Sequence, residues 1–146
     1  MRILSLLLCS FLFLLGTGVR AQSSLNSPLG MWQTLDDETG EVKSVIEIYE
    51  QNGKYYGRVA KILTGNDDAI CTECTGKQKD KPMLGLVIIE GLSKEDDYWA
   101  GGTILDPQKG STYKLSAWYE DKNPDRLFIR GKHWTGIFRT QTWRRV

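Results

Sequence analysis

The sequence predicts an all-β fold, a single antiparallel up-and-down barrel of about eight strands. From Pro28 onward no long segment has the apolar periodicity of a helix. Short runs rich in β-branched and aromatic residues recur instead, and turn residues separate them. Because most links have hairpin length, we expect consecutive strands to pair and the sheet to close on itself, which removes both sheet edges.

The start of the chain has the pattern of a secretory signal peptide over residues 1–21. Arg2 supplies the positive charge, residues 3–15 form an apolar run, and Val19 and Ala21 are the small residues of a cleavage site before Gln22. A membrane-spanning helix needs about 20 apolar residues, so this run is short for an uncleaved anchor. We therefore predict an exported protein, periplasmic or secreted, with residues 22–146 as one barrel domain.

The charge balance excludes some classes of partner. Without Arg2 and Arg20, 17 basic residues stand against 18 acidic residues, so the mature chain is close to neutral. Nucleic-acid binding needs a basic stripe rather than interspersed signs. No basic amphipathic helix for a membrane surface is present either. We expect no nucleic-acid partner and no membrane insertion after signal cleavage.

The first three strands are predicted from β-type residue runs and from one hairpin turn. Residues 30–34 open the series, and residues 42–50 alternate between two faces. Asn52-Gly53 is a strong hairpin signal, so residues 54–63 form the return strand. The later strands are predicted at residues 83–89, 98–105, 113–119, 127–132 and 137–144.

The polar segment of residues 64–81 is the one long irregular stretch, and it carries Cys71 and Cys74. Cys9 would be removed with residues 1–21, and the even number of cysteines that remains in an exported chain predicts a disulfide. A redox pair remains an alternative, although the segment lacks the apolar helix that normally follows one. A metal site is a further alternative, but zinc usually takes four Cys or His ligands and His133 is the only histidine. We assign no metal, no cofactor and no catalytic residue. Whether the protein is an enzyme stays open.

Aromatic residues are abundant for so small a domain, with five Trp and six Tyr in the chain. Such residues fill the interior of an eight-stranded barrel or line a cavity within it. An inward arginine would then hold an anionic group, because a buried arginine needs a partner. The candidate ligand-binding residues are Trp32, Tyr56, Arg58, Trp99, Tyr113, Arg130 and Arg139.

Several short motifs resemble one family of bacterial proteins. Gly30-Met31-Trp32 is the Gly-x-Trp pattern that opens lipocalins and other calycins. Cys71-Thr72-Glu73-Cys74, Ile104-Leu105-Asp106-Pro107 and Gln141-Thr142-Trp143 follow in order along the chain. Together they resemble an exported bacterial family of unknown function with a calycin-like barrel. The resemblance implies that Trp32 plugs one end of the barrel and that Arg144 or Arg145 packs across it. It implies no activity.

Three functions are compatible with these observations. The first is a binding module that holds a small, partly apolar or anionic molecule inside the barrel. The second is an envelope protein-interaction module whose barrel is filled by side chains. The third is an enzyme, either a redox protein acting through Cys71 and Cys74 or a hydrolase whose catalytic residues the sequence does not identify. The fold does not decide among them, because barrels of this type host unrelated activities.

Overall fold

The eight predicted strands all form in the structure, a computed structural model that describes residues 25–146. The predicted signal peptide lies outside these residues and stays a prediction. The strands are β1 Gly30–Leu35, β2 Val42–Gln51, β3 Lys54–Ile62, β4 Val87–Lys94, β5 Trp99–Asp106, β6 Ser111–Tyr119, β7 Arg126–Lys132 and β8 Phe138–Arg145. Two single-turn 3-10 helices, Gly76–Gln78 and Glu120–Lys122, lie in the connections.

The strands form a closed antiparallel barrel in sequence order. Each strand pairs with its neighbours in the chain, and β1 closes the barrel against β8 through the pairs Trp32–Arg145 and Gln33–Arg144. Asn52-Gly53 turns β2 into β3, with positive φ at both residues, as the hairpin signal predicted. The up-and-down barrel is therefore confirmed.

The fourth strand begins later than predicted. The prediction of residues 83–89 followed the apolar run, but Met83 and Leu86 form a turn in which the Leu86 N–H donates to the Met83 carbonyl at 3.1 Å. β4 instead continues to Lys94, because Leu92 is fully buried while the polar residues around it are more exposed. In residues 90–94 the buried Leu92 is surrounded by polar residues that face outward. The apolar run alone therefore did not indicate that the strand continues beyond Ile89.

The strand directions define two ends of the barrel. We call the end that carries the β2–β3, β4–β5 and β6–β7 connections the closed end. The other end, which carries residues 36–41, 63–86, 107–110 and 133–137, is the open end. No helix within residues 25–146 is both long and apolar enough to cross a membrane.

Candidate functional site

Three aromatic side chains fill the closed end. Trp32 and Trp99 are fully buried, and Tyr119 lies between them. The Tyr119 ring centroid is 5.4 Å from that of Trp99, edge to face, and 6.2 Å from that of Trp32. The Trp32 indole N–H donates to the Pro28 carbonyl at 2.9 Å, so the segment before β1 is tied to the plug. The interior of this end is therefore occupied by packed aromatic rings.

Arg145 covers the plug from outside. Its guanidinium carbon lies 4.2 Å from the Trp32 ring centroid, a cation–π contact. The same group donates to the Pro124 carbonyl, the Leu29 carbonyl and the Tyr119 hydroxyl at 2.8, 2.8 and 3.1 Å. Of the two arginines that the resemblance offered for this position, Arg145 takes it.

Burial and Arg145 act in opposite directions on Tyr119. Burial raises the pKa of the Tyr119 hydroxyl above its usual value, and the nearby Arg145 charge only partly opposes this shift. The Tyr119 hydroxyl also donates to the Ser27 carbonyl at 2.6 Å. Tyr119 is therefore neutral, and its hydroxyl donates a hydrogen bond that anchors the segment at Ser27, before β1.

A cavity of about 570 Å³ occupies the open end and opens to solvent. Its floor is apolar and buried, and it separates the cavity from the closed end. The floor residues are Ile46, Val59, Ile88, Ile129 and Trp143. The Trp143 indole N–H is buried and has no hydrogen-bond partner among the described residues. The Trp99 indole N–H at the closed end likewise has no partner among the described residues, so an unpaired indole does not distinguish the floor from the plug.

Small or polar side chains form much of the cavity wall. Thr34 and Ser44 face each other across β1 and β2, and their hydroxyl oxygens are 2.8 Å apart. Gln141 on β8 also lines the wall, and its side-chain amide donates to Asp37 at 3.2 Å. Gly131 contributes no side chain. The cavity exists because these inward positions lack large side chains.

The charged residues at the cavity mouth are largely paired. Lys43 forms an ion pair with Asp36, and Arg139 forms one with Asp37. Hydrogen bonds from Lys43 and from the backbone N–H groups of Thr39 and Glu38 hold the pKa of the Asp36 carboxyl well below its usual value. Asp36 therefore stays ionised and keeps Lys43 in place.

Lys109, also at the mouth, has no ion pair among the described residues. It belongs to the β5–β6 turn, in which the Asp106 carboxylate accepts a hydrogen bond from the Gln108 N–H at 3.0 Å. The hydrogen bond from the Gln108 N–H to the Asp106 side chain makes this connection an Asx turn. Among the described residues at the mouth, Lys109 is thus an exposed cation without an acidic partner.

The disulfide between Cys71 and Cys74 is present, and both residues are buried. Its loop packs on the β5–β6 turn. The Cys71 sulfur lies 3.4 Å from the Pro107 carbonyl oxygen, and a Cβ at Gly110 would come within 1.8 Å of the Glu73 carbonyl oxygen. The long connection is therefore anchored at the cavity mouth, to which its residues Ala69 and Met83 contribute.

The structure separates the seven predicted ligand-binding residues into three groups. Tyr113 and Arg139 line the cavity. Trp32 and Trp99 belong to the closed end. The other three lie outside the cavity lining, where each has partners on the barrel surface: Tyr56, Arg58 and Arg130.

The outward residues are held by neighbouring strands. Arg58 pairs with Glu47, with its Nε 2.8 Å from the carboxylate, and its guanidinium lies over the Tyr49 ring. Tyr56 stacks on Tyr49. These contacts are ordinary cross-strand pairs. Binding by any of the seven residues stays a prediction.

The sequence interpretation missed most of the cavity lining. Thr34, Ser44 and Gln141 are polar, and polar residues in a strand look like outward positions when the strand register is unknown. Trp143 was noted only as part of the Gln141-Thr142-Trp143 motif and was not predicted to line a cavity. Alternation from the plug gives a usable signal, because Thr34 lies two residues after Trp32 and shares its inward face.

No metal site is visible in residues 25–146, since no three potential ligands come together there. His133 lies at the β7–β8 turn, where its Nδ1 is 2.9 Å from the Thr135 hydroxyl. It lines the cavity mouth beside Tyr113, with ring centroids 5.9 Å apart. A local turn contact of this kind needs no catalytic role.

The chain is similar to one protein family in sequence and to one solved structure in fold. The model of the family described as "Uncharacterized protein conserved in bacteria (DUF2147)" matches residues 30–145. Among solved structures, protein HP1028 of Helicobacter pylori, described as belonging to the lipocalin family, is similar at 22% identity with a TM-score of 0.70. The match covers 82% of this chain and 83% of that chain, and at this identity it shows the fold alone. No curated protein matches.

Proposed function

The chain belongs to the bacterial family of uncharacterised proteins DUF2147, and we propose that it binds a small, partly apolar molecule in the open end of its lipocalin-like barrel. The observation that carries the proposal is the cavity of about 570 Å³ above a buried apolar floor. Small-molecule sites commonly have volumes of roughly 300–1,000 Å³ and combine apolar walls with a few polar groups. The open end meets both conditions.

The lining indicates which part of the ligand lies where. The apolar floor favours an apolar group, since contact with Ile46 and Ile129 removes its surface from water. Hydroxyl and amide groups of Ser44 and Gln141 lie higher on the wall and suit a polar group nearer the mouth. The ligand therefore enters with its apolar part first.

The cations at the cavity mouth bear on whether the ligand is anionic. Arg139 is the one predicted arginine that lines the cavity, and Asp37 already neutralises it. Lys109 remains as an exposed cation without an ion pair in the described part of the chain. An exposed charge contributes little in water, so we propose that apolar burial dominates affinity and that Lys109 adds a minor preference for anions.

We further propose that the protein acts outside the cytoplasm, in the periplasm or after secretion. The Cys71–Cys74 disulfide supports this location, because disulfides persist in oxidising compartments. The same disulfide gives less support to a redox enzyme, since both cysteines are buried and pack on the β5–β6 turn. The open cavity likewise favours ligand binding over an interaction module with a filled barrel.

The first test is native mass spectrometry on protein purified from the cells that produce it. We expect a dissociable extra mass on the folded protein. The same spectrum gives the mass of the polypeptide, which tests cleavage before Gln22 and the two-hydrogen loss of the disulfide.

A cavity-blocking variant makes this test specific. Ser44→Phe places a large ring on the half-buried wall, so we expect the bound mass to disappear. Lys61→Phe puts the same ring at an exposed position of β3 that does not line the cavity, and bound mass should remain. Retention of the ligand in Ser44→Phe, with native far-ultraviolet circular dichroism, would refute binding in the cavity.

A further inference from the structure

The tip of the β7–β8 hairpin exposes three large apolar side chains. Trp134, Ile137 and Phe138 are 86%, 75% and 57% exposed. Trp134 and Ile137 belong to the turn and Phe138 begins β8, so the three form one short segment, which we call the hairpin tip. Ile137 and Phe138 also lie at the cavity mouth. Single exposed apolar residues are common, but adjacent large ones at a functional opening are not.

The turn itself is well hydrogen-bonded, so its shape is defined. The His133 N–H donates to the Ile137 carbonyl at 2.7 Å, and the Gly136 N–H donates to the His133 carbonyl at 3.0 Å. The His133 ring also contacts the Thr135 hydroxyl. These two backbone bonds close the turn, and the Trp134 and Ile137 side chains are left exposed to solvent.

The hairpin that carries this tip is basic throughout. Residues 126–146 contain six Lys and Arg residues and no Asp or Glu. Near the tip, Lys132 is exposed and has no ion pair among the described residues. Arg130 lies 4.5 Å from the Phe138 ring centroid and also has no acidic partner in that part of the chain. Lys132 and Arg130 thus place positive charge without an acidic partner in the described residues beside the exposed apolar side chains, whereas Arg139 is paired with Asp37.

We propose that the hairpin tip docks the open end of the barrel on an anionic lipid surface. Tryptophan with an aliphatic neighbour favours the interface between headgroups and acyl chains, since one end of the ring is apolar and the other donates a hydrogen bond. Lys132 and Arg130 meet the anionic headgroups at the same time. The contact is peripheral and needs no spanning segment. It concerns the tip alone and stands whether or not the cavity holds a ligand.

Two features of the tip favour lipid over a protein partner. The apolar residues lie on a projecting turn rather than in a groove or on a flat face, so few of them would be buried in a standard protein interface, which covers about 800 Å² per partner. The hairpin's own charge has a single sign, which matches an anionic surface and opposes self-association of the tip with a second copy, and Asp37 beside the hairpin is already paired with Arg139. Docking would also place the cavity mouth against the bilayer.

The test uses vesicles and the intact purified protein, after mass measurement has established that residues 1–21 are absent, since that apolar run would itself bind lipid. We expect the protein to float with phosphatidylglycerol-containing vesicles and not with pure phosphatidylcholine vesicles. Tryptophan emission should shift to the blue on binding, because Trp134 leaves water. Added salt should weaken the binding.

Variants of the tip decide the outcome. Trp134→Ser with Ile137→Ser should weaken binding by more than about ten-fold and abolish the blue shift, because the buried apolar area is lost. Lys132→Gln should weaken binding by about five-fold, the effect of one cation near a charged surface. Tyr98→Ser, at an exposed position of the closed end, is the matched control and should bind like the parent protein.

Unchanged vesicle binding in the double tip variant, or no binding of the parent protein to anionic vesicles, would overturn the proposal. A concentration-dependent dimer that the double variant loses, without vesicle binding, would instead identify a second copy as the partner. Loss of vesicle binding in the double tip variant, with the native bound mass retained, would support docking by the tip. It would also show that docking is independent of the ligand-binding function.

Discussion

The two ends of the barrel are built on the same eight strands but have opposite interiors. At the closed end, Trp32, Trp99 and Tyr119 occupy the inner positions and pack ring against ring. At the open end, the inner positions of the same or neighbouring strands carry Thr34 and Ser44. One end is a core and the other is a cavity.

The difference lies in side-chain size rather than in the backbone. An eight-stranded barrel has an interior just wide enough for side chains to fill it, so large inward residues close it and small ones leave space. Trp32 and Thr34 are consecutive inward positions of β1. The first belongs to the packed closed end and the second lines the cavity. The closed end is therefore packed as a core, whereas the open end keeps an unfilled space.

The sharpest test of this comparison substitutes these two neighbouring inward positions. Trp32→Ala should lower the free energy of unfolding by about 3–5 kcal/mol, because it leaves a large cavity in a packed core and removes the ring beneath Arg145. Thr34→Ala should lower it by only about 1 kcal/mol, mainly through the lost hydrogen bond to Ser44. Urea unfolding measures both, and equal effects would contradict the division of the barrel into two ends.

A second test asks whether part of the open end is also tightly packed. Gly110→Ala places a Cβ against the Glu73 carbonyl oxygen at a φ of +64°, so the disulfide loop must shift, and we expect a loss of about 3 kcal/mol. Gly53→Ala has a similar φ of +74° but open space around it, and should cost about 1–2 kcal/mol of backbone strain. Thermal unfolding of the two variants measures the contribution of the contact between loop and turn. A smaller loss in Gly110→Ala would show that this contact is loose.

The smallest expected effect is a pH dependence at the closed end. Because burial raises the pKa of Tyr119, the folded state favours the neutral phenol, and its contribution is complete below the ordinary tyrosine value of 10.0. Above that pH the unfolded chain releases the proton first, so stability falls until the raised pKa is passed. The loss between about pH 9 and pH 11 should be shallower in Tyr119→Phe. Parallel pH profiles for the two proteins would show that Tyr119 is not shielded from water.

Export and the single mature domain remain predictions from residues 1–21 and from chain length. Much of the architecture could be predicted because it depends on local signals. Asn52-Gly53 specified a tight turn whatever the rest of the chain does. The short β-branched runs specified strands, and their hairpin links specified neighbours in space. The beginning of β4 could not be predicted, because an apolar run from Met83 to Leu86 is compatible with either a strand or a buried turn.

The sequence by itself determined the strand number, the order of pairing and the disulfide, since all three follow from short-range patterns and from cysteine count. Tertiary structure alone decided which residues face the interior. Side chains alternate with a period of two, so a one-residue change of register exchanges the two faces, and only closure of the barrel fixes it. That closure turned Arg58 and Arg130 outward, placed Trp143 on the floor, and left Thr34 and Ser44 around an open space.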